Sequence, residues 1–305
     1  MRFAYLIMAH NEFSILEKLL YLLDDERNDI YLHIDKKVKQ VPMHIKTGEI
    51  LKKSSLIRIK SHDVRWGGYS QIKTELELLF TALNSGMNYD YYHLISGVDL
   101  PLHDQDTIHS LFERNKGYEF VGRNDEWAIS SSKKSRYQVY HLLQEYVGRD
   151  RTPLYYLNRL IVKLQVPFIH RQKDQMSGGS AWFSISNDFA KYVYEQREWI
   201  EKSFRYTLCG DEHMIHSLLV RSPFACRQYL PGAEAGKQNL RYFDFISTGD
   251  LEGSPKTLDY KDTIDLLGNK DYVFARKFST STEERKKAVD FIYSSLKNSE
   301  SIKCE

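Results

Sequence analysis

The chain has 305 residues, and its 43 Lys and Arg residues nearly balance 41 Asp and Glu residues, giving a formal net charge of +2. This balance excludes the strong positive field of a general nucleic-acid-binding protein, so we expect no nucleic-acid partner. The cysteines at positions 209, 226 and 304 are too few and too irregularly spaced for a disulfide framework or a zinc site, which indicates a reducing compartment.

The N-terminal apolar run at 3–9 is too short to cross a membrane and has no small-residue cleavage site. We interpret it as a buried first strand. No later stretch is long and apolar enough for a span. We therefore expect a cytoplasmic protein, and leave open a peripheral contact with the inner face of the membrane.

Strand and helix patterns alternate along the first part of the chain, which predicts an α/β fold of the Rossmann type with a mostly parallel sheet flanked by helices. The predicted strands are 3–9, 30–34, 56–60, 91–96 and 118–121, with helices at 14–23 and 70–83 between them. A loop at 130–135, helices to about 169, a strand at 180–185, helices near 187–202 and 211–220, strands near 241–246 and 272–278, and a helix from about 282 follow.

We expect one domain with a nucleotide-binding half at 1–125, an acceptor and catalytic half at 126–280, and a C-terminal helix and tail at 281–305.

Ligands of open α/β sheets bind beyond the carboxyl ends of the strands. Three polar or aromatic groups follow such ends. Asp35 is expected to contact a nucleobase or ribose, or to cap a turn; Trp66 to form a ring platform or a helix staple; and Asp99 to hold sugar hydroxyls or cap its turn.

The sequence contains neither a G-x-G-x-x-G dinucleotide motif nor a Walker A loop, which argues against a dinucleotide-binding or NTPase site. Asp104 and Asp106 form a D-x-D pair, the arrangement that binds a metal diphosphate in many sugar-nucleotide enzymes. Because an amphipathic helix begins directly after them, we interpret both as helix caps, and we predict no metal site.

Glu212 begins a predicted helix, where a carboxylate is stabilised as the anion and can serve as a general base. Capping is the alternative, for which Asp211 is better placed. Lys133 and Arg136 belong to a basic, aromatic patch or to a solvated loop. The segment 154–171 is predicted to be a packed core helix in preference to a membrane-surface helix.

The run at 272–278 ends in two adjacent cations, Arg276 and Lys277. A fixed cation beside a cleft can stabilise a phosphate leaving group in place of a metal ion. Since side chains alternate along a strand, we expect only one of the two to reach the cleft directly. The alternative is an edge strand protected by charge.

Taken in order, these segments resemble the family of core-2/I-branching β-1,6-N-acetylglucosaminyltransferases and peptide O-xylosyltransferases over roughly residues 3–280. The matching motifs are AYLIMAH at 4–10, HIDK at 33–36, WGG at 66–68, YHLISGVDLP at 92–101, GGSAWF at 178–183, EHMIHSLL at 212–219 and FARKF at 274–278. The resemblance implies a GT-A fold, inversion at the anomeric carbon and independence from metal ions.

The resemblance also implies roles for individual residues. Glu212 would deprotonate the acceptor hydroxyl, and Lys277, helped by Arg276 and Arg241, would stabilise the departing UDP. The remaining implied contacts are the uracil or ribose for Asp35, the nucleotide site for Trp66, the donor sugar for Asp99, and the acceptor for Lys133, Arg136 and Trp182.

We therefore predict an inverting glycosyltransferase that moves N-acetylglucosamine or xylose from a UDP-sugar to a hydroxyl of a glycan, lipid-linked saccharide or glycoprotein. No cofactor and no metal are expected. Two alternatives stay open: a metal-dependent nucleotide-sugar transferase, and a carbohydrate-binding protein without catalytic activity.

Overall fold

The structure, a computed structural model, describes residues 1–171, 176–245 and 254–302, and gives the backbone alone for 131–133 and 299–302. The strands are β1 Phe3–Ala9, β2 Asn28–Ile34, β3 Ser55–Arg58, β4 Tyr91–Ser96, β5 Leu100–Pro101, β6 Phe120–Arg123, β7 Gly179–Ser186, β8 Arg241–Tyr242 and β9 Phe274–Ala275. The helices are α1 Phe13–Leu23, α2 Met43–Thr47, α3 Tyr69–Leu83, α4 Gln105–Arg114, α5 Asp125–Ile129, α6 Ser131–Gln138, α7 Gln144–Val147, α8 Pro153–Gln165, α9 Asn187–Glu195, α10 Arg197–Phe204, α11 Asp211–Arg221, α12 Ala235–Gln238, α13 Tyr260–Leu266 and α14 Glu283–Ile302, with a 3₁₀ turn at Ala225–Arg227. Within the described ranges, none of the helices combines the length and the apolarity needed to cross a bilayer.

The central sheet has six strands in the order β3-β2-β1-β4-β7-β6. β1 lies between two parallel neighbours, with Phe3 opposite Asn28 of β2 and Tyr91 of β4. β7 runs antiparallel to β4, and β6 runs antiparallel to β7. This mostly parallel sheet, flanked by helices, confirms the predicted α/β class and agrees with the GT-A-like architecture that the resemblance implies.

Successive side chains of β1 point to opposite sides of the sheet, and both sides are buried. Phe3, Tyr5 and Ile7 belong to a core cluster that also holds the apolar faces of α1 and α14. Ala4 and Leu6 belong to a second cluster, with the apolar faces of α3 and α11. Burial on both sides explains why β1 is a continuous apolar run in the sequence.

A small three-stranded sheet, β5-β9-β8, lies next to the point where β4 ends. Leu100 of β5 pairs with Ala275 of β9, and Phe274 of β9 pairs with Arg241 of β8. This pairing brings a late segment of the chain to the carboxyl end of the main sheet. The residues directly after β9 therefore lie beside the residues directly after β4.

Three local predictions need correction. The loop predicted at 130–135 is part of α6, since residues 130–138 contain neither Gly nor Pro and the Lys134 amide donates to the Ser130 carbonyl at 3.0 Å. The strand predicted at 272–278 is reduced to β9. The strand predicted at 241–246 is reduced to β8, and residue 246 lies outside the described residues.

Candidate active site

A cavity of about 1360 Å³ opens at the carboxyl ends of β1, β2 and β4. His10 and Glu12 line it from the segment after β1, Asp35 from the segment after β2, and Val98 from the segment after β4. Parallel strands present their carboxyl ends at one edge of the sheet, which is why residues distant in sequence meet here. The lining includes seven Lys and Arg side chains and five Asp and Glu side chains, so the cavity suits a ligand with negative charge.

Asp35 both caps a turn and lines the cavity. Its Oδ1 accepts a hydrogen bond from the Lys37 amide at 2.8 Å, and its Oδ2 accepts one from the Val64 amide at 3.3 Å. The Lys37 ammonium lies 3.0 Å from Oδ2. The two alternatives for Asp35 are therefore compatible: the turn contacts fix the carboxylate at the cavity wall.

Trp66 is an exposed ring on the cavity wall, and the Arg149 guanidinium lies 4.3 Å from its centroid. The two glycines after it serve the turn. Gly67 has φ +71°, and a Cβ on Gly68 would lie 2.6 Å from Oε1 of Glu145. That same oxygen accepts a hydrogen bond from the Ser70 amide at 2.7 Å, at the start of α3. The missing side chain of Gly68 thus leaves room for the Glu145 carboxylate at the start of α3, next to Trp66.

Arg276 and Lys277 both line the cavity. The strand β9 ends at Ala275, and the alternation of a strand no longer holds beyond that residue. Nε of Arg276 lies 3.3 Å from Oδ1 of Asp99, and its guanidinium stacks 4.7 Å from the centroid of Trp182. Arg276 is thereby held against the wall.

Glu12 holds the segment that carries Lys277 against the end of β1. Its carboxylate accepts hydrogen bonds from Thr280 Oγ1 at 2.7 Å and from the Thr280 amide at 3.2 Å. Burial raises the pKa of Glu12, but the hydrogen bonds from Ser279 and Thr280 have the larger combined effect, and the pKa is lowered.

His10, which follows β1, also lines the cavity. Burial lowers the pKa of His10. The charge of Asp35 opposes this change, while the charges of Lys37 and Lys277 act in the same direction as burial.

Glu212 lies in the first turn of α11 on the cavity wall. Nη1 of Arg136 donates a short hydrogen bond to Oε2 of Glu212, and the Arg136 guanidinium lies 5.2 Å from the ring centroid of Trp127. Burial lowers the pKa of Arg136, and the Glu212 charge is the largest of the effects that raise it above its usual range. The guanidinium thus orients the carboxylate of Glu212 at the cavity wall.

Asp211 does not cap α11, contrary to the sequence-based expectation. It is the first residue of the helix, whose N-terminus has no side-chain cap. Its buried Oδ2 accepts a hydrogen bond from Gln71 Nε2 at 3.1 Å. Burial, with the neighbouring Glu212 charge as the second cause, raises the pKa of Asp211 to about 7.

Arg241 lies outside the cavity lining, and the structure corrects its expected role. Its side chain is 1% exposed. Nη2 donates to the Phe183 carbonyl at 2.6 Å and to Ser184 Oγ at 3.0 Å, and Nη1 donates to the Asn239 carbonyl. Burial lowers the pKa of Arg241 to about 9. The guanidinium joins strands in the core and has no access to a phosphate in the cavity.

Asp99 is likewise buried behind the cavity wall. Its Oδ2 accepts from the Ser96 amide at 3.0 Å, and its Oδ1 faces Arg276. The expected contact with the donor sugar is replaced by a contact with the cation that faces the cavity.

The capping interpretation of Asp104 is confirmed, since its side chain accepts a hydrogen bond from the Thr107 amide at 2.8 Å. Asp106 pairs with Arg27 at 2.9 Å, away from the cavity lining.

Among the acceptor candidates, Arg136 and Trp182 line the cavity, and the side chain of Lys133 lies outside the described part of the chain. The structure adds Trp127 and Arg285 to the lining. Arg285 lies in the first turn of α14, and its Nη1 donates to Ser281 Oγ at 3.0 Å. The sequence signal that could have identified Arg285 is the run of Ser and Thr residues before α14, a helix that begins shortly after Arg276 and Lys277. A helix start of this kind favours anions.

The comparisons with known proteins agree with this arrangement of motifs. The family model Branch, described as Core-2/I-Branching enzyme, matches residues 3–259. The chain belongs to the core-2/I-branching enzyme family. The resemblance inferred from the seven ordered motifs is thereby confirmed.

Two animal proteins have sequences similar to that of this chain. Xylosyltransferase 2 of Canis lupus familiaris is 23% identical over 236 residues, which cover 74% of this chain and 25% of that protein. Xylosyltransferase oxt of Drosophila melanogaster is 27% identical over 224 residues, covering 70% of this chain and 23% of that protein. The chain therefore spans about a quarter of the length of these curated relatives.

Among solved structures, mouse xyloside xylosyltransferase 1 in its apo form is 10% identical over 72% of this chain and 83% of that chain, with a TM-score of 0.34.

Proposed function

We propose that this member of the core-2/I-branching family is an inverting glycosyltransferase that transfers N-acetylglucosamine or xylose from a UDP-sugar to a hydroxyl group of a glycan or glycoconjugate. The observation that carries the proposal is the set of charged groups that line one cavity. A carboxylate fixed by an arginine, Glu212, shares the cavity with two adjacent cations, Arg276 and Lys277. An inverting transfer needs both groups.

In the proposed step the acceptor oxygen attacks the anomeric carbon as the bond from that carbon to the β-phosphate oxygen breaks. Glu212 takes the proton of the attacking hydroxyl group. Arg136 directs the carboxylate, as their hydrogen bond supports. The electron pair of the broken bond remains on UDP, where the new negative charge develops on the β-phosphate.

The proposed site for that charge is formed by Lys277, Arg276 and the start of α14. Ser279, Ser281 and Arg285 line the same part of the cavity from the segment that follows Lys277. Helix N-termini with hydroxyl groups and cations favour phosphate oxygens. Fixed cations of this kind supply charge stabilisation without reorganisation, and in the proposed mechanism they act in place of a metal ion.

We propose that the uridine lies between Asp35 and Trp66. Asp35 is fixed at the cavity wall by two backbone amides, and Trp66 offers an exposed ring at the same wall. A carboxylate can accept from a ribose hydroxyl or a uracil N–H, and a ring can stack on the base. We assign Trp182, which also lines the cavity, to the sugar of the acceptor.

The test is a transfer and donor-hydrolysis assay in EDTA, after a thermal-shift screen across nucleotide sugars. A nucleotide at 100 times its dissociation constant should stabilise the protein by about 2.7 kcal/mol. We expect UDP-N-acetylglucosamine or UDP-xylose to do so, and turnover to persist in EDTA. Loss of turnover on chelation, with recovery on adding Mn²⁺, would favour the metal-dependent alternative, and nucleotide binding without any turnover would favour the non-catalytic one.

A further inference from the structure

The helix α8 is amphipathic, but its most buried residue is polar and several of its apolar residues face solvent, which is unusual for a globular protein. Its buried residue is Asn158, whose Oδ1 accepts from the Leu143 amide at 3.3 Å. On the same side, Gln165 donates to the Tyr140 carbonyl and accepts from the Tyr140 amide, both at 2.9 Å. Polar side chains thus attach α8 to the rest of the protein. The sequence-based prediction of a packed core helix at 154–171 is wrong.

The apolar side of α8 faces solvent. Positions 156, 157, 160 and 164 lie on one face of a helix, as their spacing requires. Leu160 is 53% exposed and Leu164 is 63% exposed, and Phe168, just after the helix, is 82% exposed. We call the exposed apolar residues of this face and its surroundings the α8 surface: Leu142, Tyr146, Tyr156, Leu157, Leu160, Leu164, Val166 and Phe168.

The charged residues of segment 151–171, which carries most of the α8 surface, have one sign. Residues 151–171 contain four Lys and Arg residues and no Asp or Glu. Arg151, Arg159 and Lys163 are exposed, whereas Arg171 is engaged with the Tyr140 ring, its guanidinium 4.1 Å from the ring centroid. An apolar stripe flanked by exposed cations and aromatic rings is complementary to a surface that has negative charge outside and hydrocarbon beneath it.

The α8 surface also lies close to the mouth of the cavity along the chain. Val147, Gly148, Arg149 and Asp150 line the cavity and directly precede α8. A molecule held at the α8 surface would therefore be near the site that we propose for transfer. With 13 residues, α8 is about 20 Å long, long enough to lie along an interface.

We propose that the α8 surface docks the protein on a bilayer that contains anionic phospholipid, with α8 parallel to the membrane plane and the cavity mouth towards the lipid headgroups. Leu160, Leu164 and Phe168 enter the boundary between headgroups and acyl chains. Arg159 and Lys163 contact lipid phosphates. This placement presents the cavity to acceptors that are anchored in the membrane, and the docking itself does not depend on the proposed transfer reaction.

Co-flotation of the full chain with vesicles tests the proposal. We expect binding to vesicles of phosphatidylcholine mixed with phosphatidylglycerol. The double variant Leu160→Ser/Leu164→Ser should reduce the partition coefficient at least tenfold, as the loss of two buried apolar side chains predicts. The control Met87→Ser/Ile264→Ser changes two side chains that are 42% and 51% exposed elsewhere, and should bind like the wild type.

The charge contribution is tested separately. Arg159→Gln/Lys163→Gln should weaken binding to the anionic vesicles by about fivefold per charge, an effect that salt should diminish. Lys52→Gln/Lys53→Gln removes two exposed charges just before β3, at the opposite end of the sheet from the cavity, and should have no effect.

Circular dichroism and thermal unfolding verify that each variant is folded. Vesicle binding that is lost only in the α8 variants supports the proposal. Failure of the wild type to bind, or equal binding by the Leu160→Ser/Leu164→Ser variant, overturns it. A concentration-dependent dimer that the same variant dissociates, without vesicle binding, would instead identify the α8 surface as a contact between two copies. Since no turnover is measured, failure here leaves the proposed enzymatic activity unaffected.

Discussion

Oδ1 of the buried Asp99 lies 3.3 Å from Nε of Arg276, a cation that faces the cavity. The Ser96 amide and hydroxyl also donate to this carboxylate, so its position is determined by the turn after β4. Through this pair, the end of a central strand orients a side chain from a segment almost two hundred residues later in the chain. The motif residue Asp99 thus acts through Arg276, and its carboxylate has no contact with the cavity itself.

Asp99→Asn should therefore weaken UDP and UDP-sugar binding by the same factor, about three- to tenfold, because Arg276 loses its charged partner. Calorimetry with both ligands measures this. If Asp99 contacted the donor sugar directly, only the affinity for the UDP-sugar would fall, and the affinity for UDP would be unchanged.

Glu212→Gln should lower the transfer rate by about 10²–10⁴-fold, since a positioned base contributes that much. The affinity for UDP should be retained, because the carboxylate belongs to the acceptor side of the proposed reaction. Glu126→Gln serves as the control, as Glu126 is exposed and lies outside the cavity lining. A Glu212→Gln enzyme with near wild-type turnover would exclude Glu212 as the base and direct attention to Asp211.

Arg241→Gln should destabilise the protein by about 2–4 kcal/mol, because backbone carbonyls in the core lose their charged donor. Urea denaturation measures the free energy of unfolding. In the fraction that remains folded, the affinity for UDP should be unchanged. A stable variant with impaired UDP binding would restore the phosphate-binding role that the family resemblance implies for Arg241.

The pH dependence of stability should carry a contribution from Asp211. Burial raises its pKa from the ordinary 3.8 to about 7. Between these two values the folded protein holds a proton that the unfolded chain has lost, so this contribution is complete below about pH 4 and is lost as the pH rises through 7. Asp211→Asn removes the titration, and its free energy of unfolding relative to the wild type should increase from pH 5 to pH 8. Asp106→Asn, at an exposed carboxylate, should show no such trend.

Much of the fold could be predicted because the central strands have both faces buried. β1 and β4 begin and end at the predicted residues, and the α/β alternation placed Asp35 and Trp66 at the correct edge of the sheet. The sequence also indicated Glu212, at a helix start, and Lys277, after an apolar run, and both line the same cavity.

The rest depended on contacts that periodicity does not encode. The apolar stripe of α8 has the spacing of a core helix, but the sequence does not reveal that Asn158 and Gln165 find partners inside and leave the leucines outside. Likewise, an arginine in a short strand does not indicate whether its guanidinium meets a ligand or core carbonyls. For Arg241 the answer follows only from the packing of β8 against β9 and from the carbonyl of Phe183.

The most direct test of the central claim, that fixed side-chain cations stabilise the leaving diphosphate, is a crystal structure of the protein soaked with UDP in the presence of EDTA. We expect the Lys277 ammonium within about 2.7–2.9 Å of a β-phosphate oxygen, as a charge-assisted hydrogen bond requires. A diphosphate bound in the cavity with Lys277 and Arg276 both beyond contact distance would contradict the account.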